Sequence, residues 1–204
     1  MAPKRKVKSS KPKSSSTLWV AIVLIALLII SVGVYFALAN KPPTSISPTT
    51  VLLQTSAGDI TIDLRTDKPI TSTNFINLVK EGKYDGTTFY RTISDFMIQG
   101  GQVSGNVATI KDEIGSDNHN LPYTVAMAKT NQPNSATSEF FINVQDNGQY
   151  PNFDSTYTVF GTVTSGKDVV DAIANAPVTE NPNIPGEMSA PVNPVTIIKA
   201  SIVS

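Results

Sequence analysis

Past residue 50 the chain switches repeatedly between two hydrophobic periods. In VLLQTSAGDITIDL, Val51 to Leu64, apolar and polar residues alternate on both sides of Ser56-Ala57-Gly58. Ile60, Ile62 and Leu64 point one way, Thr61 and Asp63 the other, which predicts a half-buried hairpin. After Pro69 the period lengthens: Phe75, Leu78 and Val79 fall at helical spacing, with Ser or Thr to cap the start and Gly82 to end the helix. TTFYRTI, FMIQGG, YTVAMA, EFFINV and YTVFGTV are short runs dense in β-branched and aromatic residues, hence strands. KDVVDAIANA predicts a second helix with Val169, Val170 and Ile173 inward, and PVTIIKASIV a last strand. Many short strands, two helices and no regular β-α alternation predict a mainly β fold, an antiparallel sheet closed into a barrel with helices over its ends.

The first fifty residues follow another pattern. LWVAIVLIALLIISVGVYFALA, residues 18–39, carries no charge over 22 residues and as a helix would span roughly 33 Å, enough for a bilayer core. Trp19 and Tyr35-Phe36 stand near its two ends, where amphipathic rings favour the interface. Six cations precede it and keep the N-terminus cytoplasmic. The expected organisation is a basic cytoplasmic tail (1–17), a transmembrane helix or signal anchor (18–39), a Pro/Ser/Thr tether (40–50) and an extracytoplasmic domain (51–204). Ala37-Leu38-Ala39 is also an A-x-A cleavage pattern, which would make the protein secreted. The apolar run is longer than a normal signal core, which favours the anchor. PKRKVK has the look of a nuclear-import patch, but beside such a span topology explains it better.

The formal net charge of zero hides a segregation. From residue 51 onward there are nine Lys and Arg against sixteen Asp and Glu, a balance of −7, which argues against nucleic acid as a partner. A monomer is expected. No cysteine is present, so no thiol nucleophile, disulfide or cysteine-based metal site exists. The single histidine, His119, lies in the polar loop GSDNHNLP and reads as solvated; one histidine cannot build a histidine metal site. Asp112-Glu113 reads as a loop or capping pair rather than an acid–base pair. Gly100-Gly101 followed by Gly105 opens no helix and so makes no phosphate loop. The available chemistry needs neither nucleophile nor metal, and no cofactor is expected.

What remains is one cation on an apolar strand. In FYRTISDFMIQGG, Arg91 and the group Phe96, Met97 and Gln99 belong to two strands joined by a tight turn. A buried arginine without a partner is costly, so Arg91 belongs at a rim. In SEFFINV, Glu139 and Phe141 share one face, Phe140 and Ile142 the other. A shallow pocket of Phe96, Met97 and Phe141, rimmed by Arg91 and Gln99, suits a small apolar ring beside a carbonyl, the shape of proline in a peptide.

These segments resemble the cyclophilin family. FYRTISDFMIQGG is similar to that family's F-H-R followed by F-M-I-Q-G-G-D, and VAMAKTNQPNSATSEFFINV to its M-A … N-S-x-x-S-Q-F-F-I segment. TSAGDITIDL, TNFINLVKEGKYDGTTFYR, VFGTVTSGKDVVDAI and the terminal strand follow in the family's order, so the resemblance covers residues 51–204. It implies a closed eight-stranded antiparallel β-barrel capped by two α-helices, and peptidyl-prolyl cis–trans isomerisation without metal or cofactor. It implies that Arg91 is the catalytic arginine, that Phe96, Met97 and Phe141 grip the proline ring, and that Gln99 orients the substrate backbone. Ala128, Lys129, Glu139, Phe153 and Tyr157 complete the implied substrate-binding set.

This chain departs from the family pattern at several positions. Tyr90 stands beside the arginine where many members have histidine, and Tyr157 replaces another histidine. Glu139 replaces the glutamine of S-Q-F-F; its carboxylate lacks amide donors and stands to pair with Arg91 and slow turnover, or to favour basic substrates. Lys129, near the position of an asparagine that contacts peptide, is placed to offset that charge. Tyr150 and Phe153 are both candidates for the family's drug-contacting tryptophan, and the loop after Gly101 is shorter than usual. The expected activity is isomerisation of X–Pro bonds in proline-containing polypeptides folding outside the membrane. The alternative is a proline-peptide binding module, or foldase-like chaperone, with little turnover because of Glu139.

Overall fold

The computed structural model describes residues 46–203 and, in a helical stretch, residues 24, 25 and 27–30. The chain forms two compact units, Met1–Pro42 and Pro43–Ser204. In the first, the described residues are leucines and isoleucines, helical and exposed. The basic tail, most of the 18–39 segment and tether residues 40–45 lie outside the described residues; among those described, no helix is long and apolar enough to cross a membrane.

The second unit is a closed antiparallel barrel in the order β1-β10-β3-β4-β6-β5-β7-β2. Its strands are β1 (Thr49–Thr55), β2 (Gly58–Leu64), β3 (Thr88–Ile93), β4 (Met97–Gly100), β5 (Thr124–Met127), β6 (Phe140–Asn143), β7 (Val159–Ser165) and β10 (Val195–Ile202). The alternation in the first hairpin becomes register: Val51 faces Ile62 and Leu53 faces Ile60, all four fully buried. Such pairing is strongly specified, because a one-residue slip would turn the whole set into solvent. Closure leaves the barrel itself no open edge for another chain to extend.

Two helices pack against the barrel. α1 (Pro69–Lys80) lies on β10 and β7, burying Phe75, Leu78 and Val79. α2 (Lys167–Ala174) lies on β2, β3 and β4, burying Val170 and Ile173, with Val169 half-buried beside them. The start of α1 differs from expectation. No local Ser or Thr caps it; the orphan N–H groups of Ile70 and Thr71 donate to the Glu113 carboxylate at 3.1 and 2.8 Å. Glu113 is thus a cap supplied from more than forty residues away, satisfying donors the helix cannot pair itself. Its neighbour Asp112 accepts from Lys129.

A second, two-stranded sheet was not expected. β8 (Val178–Glu180) and β9 (Met188–Pro191) pair with each other outside the barrel, and β9 packs against β3. The hairpin therefore lies against the strand that carries Arg91.

Candidate active site

The backbone of β3 sets the direction of Arg91. Phe89 pairs with Gly100 and Arg91 with Gln99, so two steps on β3 match one on β4, and the extra residue, Tyr90, makes a β-bulge. Strict alternation would put Arg91 on the face of Phe89, which is fully buried inside the barrel. The bulge moves it to the outer face beside Tyr90. Both side chains then meet Gln99: its Oε1 accepts from Arg91 Nη1 at 3.2 Å, and its Nε2 donates to the Tyr90 hydroxyl at 2.7 Å. Gly100 and Gly101 end β4 against the core. Gly101 has φ +76°, and a Cβ there would lie 2.7 Å from the Phe140 ring and 2.9 Å from that of Tyr84. Only glycine suits both demands.

Outside the barrel, Met97, Ala126, Phe141 and Val159 form a second apolar cluster, joined by Ile93, Phe96, Ala128, Phe153 and Tyr157. It is the floor and wall of a cavity lined by Arg91, Phe96, Met97, Gln99, Ala128, Lys129, Phe141, Phe153 and Tyr157. These nine are the sequence-predicted residues other than Glu139. The cavity holds about 150 Å³, the size at which an apolar cavity takes up a six-membered ring. Phe153 packs at a tilt 4.7 Å from Tyr157 and edge-on to Phe141 at 5.9 Å. Of the two aromatic candidates, Phe153 is therefore in the cup, while Tyr150 lies outside it against Phe96.

The loop that presents Phe153 and Tyr157 is held by buried asparagines that sequence reasoning missed. Asn118 Nδ2 donates to the carbonyls of Asp154 and Tyr157, and its Oδ1 accepts from Val159 N. Asn147 Nδ2 donates to Phe96 O at 2.8 Å and Asn143 Oδ1 at 2.6 Å, tying that loop to the β3–β4 turn. Burial pushes the Asp154 carboxyl up, but hydrogen bonds from Asn120 and His119 outweigh it and hold it below its ordinary range. His119 is exposed, as the sequence suggested, yet its Nδ1 lies 3.2 Å from Asp154. The only available signal was the density of asparagine around His119 and at the end of SEFFINV.

Two charge expectations need correction. Glu139 does not pair with Arg91; it accepts from Tyr90 Oη at 2.5 Å, Gln99 Nε2 at 2.9 Å and Gln102 Nε2 at 3.3 Å. Its donors are all neutral. Burial and this carboxylate together push the Tyr90 phenol well above its usual range. Nor does Lys129 offset Glu139: its ammonium is 2.6 Å from Asp112, nearer and already hydrogen-bonded to the Asn134 backbone. The carboxylate on Arg91 is Glu187, from the segment before β9. Arg91 Nε donates to its Oε1 and Nη2 to its Oε2, both at 2.7 Å. Donation by Arg91 lowers the Glu187 carboxyl, burial opposes, and the Ser189 hydroxyl assists.

A guanidinium has five N–H donors. Glu187 takes two and Gln99 one; a fourth meets only the weakly accepting Met97 sulfur at 3.9 Å, and the last has no acceptor among the described residues. Arg91 thus presents Nη1 and Nη2 hydrogens beside an apolar, ring-sized cup. The arrangement can hold a ring and donate to an adjacent amide.

Comparison with known proteins identifies the architecture. Residues 50–202 match the family model described as cyclophilin type peptidyl-prolyl cis-trans isomerase/CLD. The chain is 46% identical over 165 residues to the peptidyl-prolyl cis-trans isomerase cyp18 of Streptomyces antibioticus, covering 75% of this chain and 98% of that one. It is 43% identical over 194 residues to a peptidyl-prolyl cis-trans isomerase of Acinetobacter baylyi, covering 91% and 95%. In three dimensions it resembles a cyclophilin-type isomerase of Cryptosporidium parvum, with a TM-score of 0.67 at 24% identity over 77% of this chain and 98% of that one. The chain belongs to the cyclophilin-type peptidyl-prolyl cis–trans isomerases, and its reaction is rotation about the X–Pro bond.

Proposed function

We propose that Arg91 is the group acting on the X–Pro amide, that the cup takes the proline ring, and that the domain works tethered outside a membrane on exported chains. The observation that carries the site reading is the Nη1–Nη2 edge of Arg91, which beyond Gln99 and Glu187 meets no acceptor stronger than the Met97 sulfur, beside a cavity of ring size. An X–Pro bond turns slowly because amide resonance sets a barrier of ~18–20 kcal/mol. Lowering it requires that the twisted amide be held better than either planar form. As the amide twists, the prolyl nitrogen loses conjugation and gains a lone pair. An N–H of Arg91 can donate to that lone pair, an interaction the planar forms do not make. Phe96, Met97, Phe141, Phe153 and Tyr157 hold the ring still while the acyl side turns, and Gln99 and Ala128 border the substrate backbone. A C. parvum relative was crystallised in the presence of the dipeptide Ala-Pro, which supports a proline-sized occupant. No proton leaves the protein at any step.

Support for the tether comes from the uncharged 18–39 run, the six cations before it, and the exposure of its described Leu and Ile side chains. With the cations inside, the acidic domain would face chains emerging unfolded, whose prolines are partly in the wrong isomer.

The site reading is tested by cis–trans exchange of a short X–Pro peptide measured by NMR. The wild type should accelerate exchange and Arg91→Ala should not; equal rates would end the assignment, and peptide binding without acceleration by the wild type would favour the binding module. Anchoring is tested by the mass and fractionation of the mature protein. A full-length mass in the membrane fraction is expected, whereas a mass matching cleavage after Ala39 would make the protein secreted.

A further inference from the structure

The β8–β9 hairpin holds the catalytic-site cation through a chain of buried and part-buried contacts that no barrel strand supplies. Asn181 and Ser189 are buried, and Asn181 Nδ2 donates to Ser189 Oγ at 2.9 Å. The Ser189 hydroxyl donates to Glu187 Oε1 at 2.6 Å, and both Glu187 oxygens accept from Arg91. The backbone around Glu187 is pinned as well: Asn181 N donates to Glu187 O at 2.7 Å, and Glu187 N to Ile184 O at 3.0 Å. Gly186 N donates to the Glu180 carboxylate, closing the loop on itself. The carboxylate is therefore fixed before it meets the guanidinium.

Its direction of approach matters. A carboxylate across Nη1 and Nη2 would cover the edge that faces the substrate. Glu187 instead takes Nε and Nη2, the side edge, and so fixes the plane of the guanidinium while leaving its end free. Gln99 on the far side takes one Nη1 hydrogen. Together they leave a long, flexible side chain one usable orientation, which is what a donor to a transient lone pair requires.

We infer that Glu187 is a positioning residue for the isomerisation, a carboxylate supplied by the hairpin outside the barrel that locks Arg91 in its productive plane. This rests on Arg91 acting on the amide as proposed above. Arg91 lines the cup and Glu187 does not, so the cup's lining is unchanged when Glu187 is lost. The effect falls on kcat.

The test is NMR exchange kinetics on the full chain with Glu187→Ala, Glu187→Gln and Ser189→Ala, each alone and with Arg91→Ala. Glu187→Ala should lower kcat about tenfold or more with KM within about twofold. Glu187→Gln keeps one acceptor and should fall between wild type and Ala, and it decides the matter if the Ala variant does not fold. Ser189→Ala should move kcat in the same direction by less. With Arg91→Ala present, removing Glu187 should change kcat no further; a merely structural role would still lower it. Unchanged or raised kcat in both Glu187 variants overturns the inference, the raised value marking the ion pair as a restraint. If Arg91→Ala itself leaves kcat intact, the reading of Arg91 fails instead, and the two failures are thereby separated.

Discussion

The barrel interior and the outer cup are built from the same aromatic contacts and end in opposite states. Inside, Phe75, Tyr84, Phe89, Phe140 and Phe160 are fully buried, with ring centroids 5.0 to 6.1 Å apart. In and beside the cup, Phe96, Phe141, Tyr150, Phe153 and Tyr157 pack at 4.7 to 6.2 Å. Ring spacing does not distinguish them. The interior is finished by the chain itself, α1 contributing Phe75, while the cup stops at a rim of Arg91, Gln99 and Lys129. An aromatic cluster stabilises when its last wall is its own, and recognises when that wall is left to a ligand.

Removing a ring from each region should separate the two roles. Phe140→Ala, in the fully buried cluster, should cost about 3–5 kcal/mol and lower activity only through unfolding, read by denaturant melts. A loss under about 1 kcal/mol would show that the interior is not the stability core. Arg91→Ala should cut kcat/KM by about 100- to 1000-fold while shifting stability far less than Phe140→Ala. Phe96→Ala, half-buried at the cup, should raise KM about tenfold with a modest stability cost, since it removes apolar area the substrate would cover.

Acid should also part the regions. Glu187 faces Arg91 and Ser189, and Asp154 faces Asn120 and His119; both carboxyls are held below their ordinary range. Contributions from groups with depressed values are complete above about pH 4.3 and are lost as pH falls through the folded values. Below about pH 4, kcat should therefore fall through loss of the Glu187 carboxylate, and peptide affinity should weaken a few-fold through Asp154 and the loop it holds, while near-UV circular dichroism still reports packed interior rings. Simultaneous loss would show that cup and barrel respond as one unit. The smallest effect is expected from Glu139→Gln. Its present donors are neutral, so it should lower kcat/KM for peptides with Lys or Arg beside proline by less than about fivefold and leave neutral peptides alone. Equal change in both classes would remove its role in charge selection.

Legibility in the sequence followed from how local the cause was. The first hairpin could be read because Val51, Leu53, Ile60 and Ile62 alternate within one short stretch. Phe140 and Phe141 could be assigned to opposite faces by the same period: Phe140 entered the interior and Phe141 the cup. The direction of Arg91 could not be read by alternation, because the bulge at Tyr90 breaks it; here the family resemblance carried information that periodicity lacks. The Glu113 cap and the grip of Glu187 join residues 42 and 96 positions apart, and charge pairing at such separations leaves no local pattern. VTENPNIPGEMSAP has neither period, so the hairpin bearing Glu187 left no trace beyond its turn residues.

The single extra residue on β3 makes this site vulnerable to a kind of change that substitution surveys do not reveal. Answering it with one residue inserted into β4 opposite Tyr90 would leave every lining residue of the cup encoded, yet it would restore unbroken alternation and turn Arg91 to the face of Phe89, toward the place where Phe140 sits. Side chains around this pocket can be exchanged one at a time, but the pairing of β3 with β4 cannot shift by one position without moving the cation.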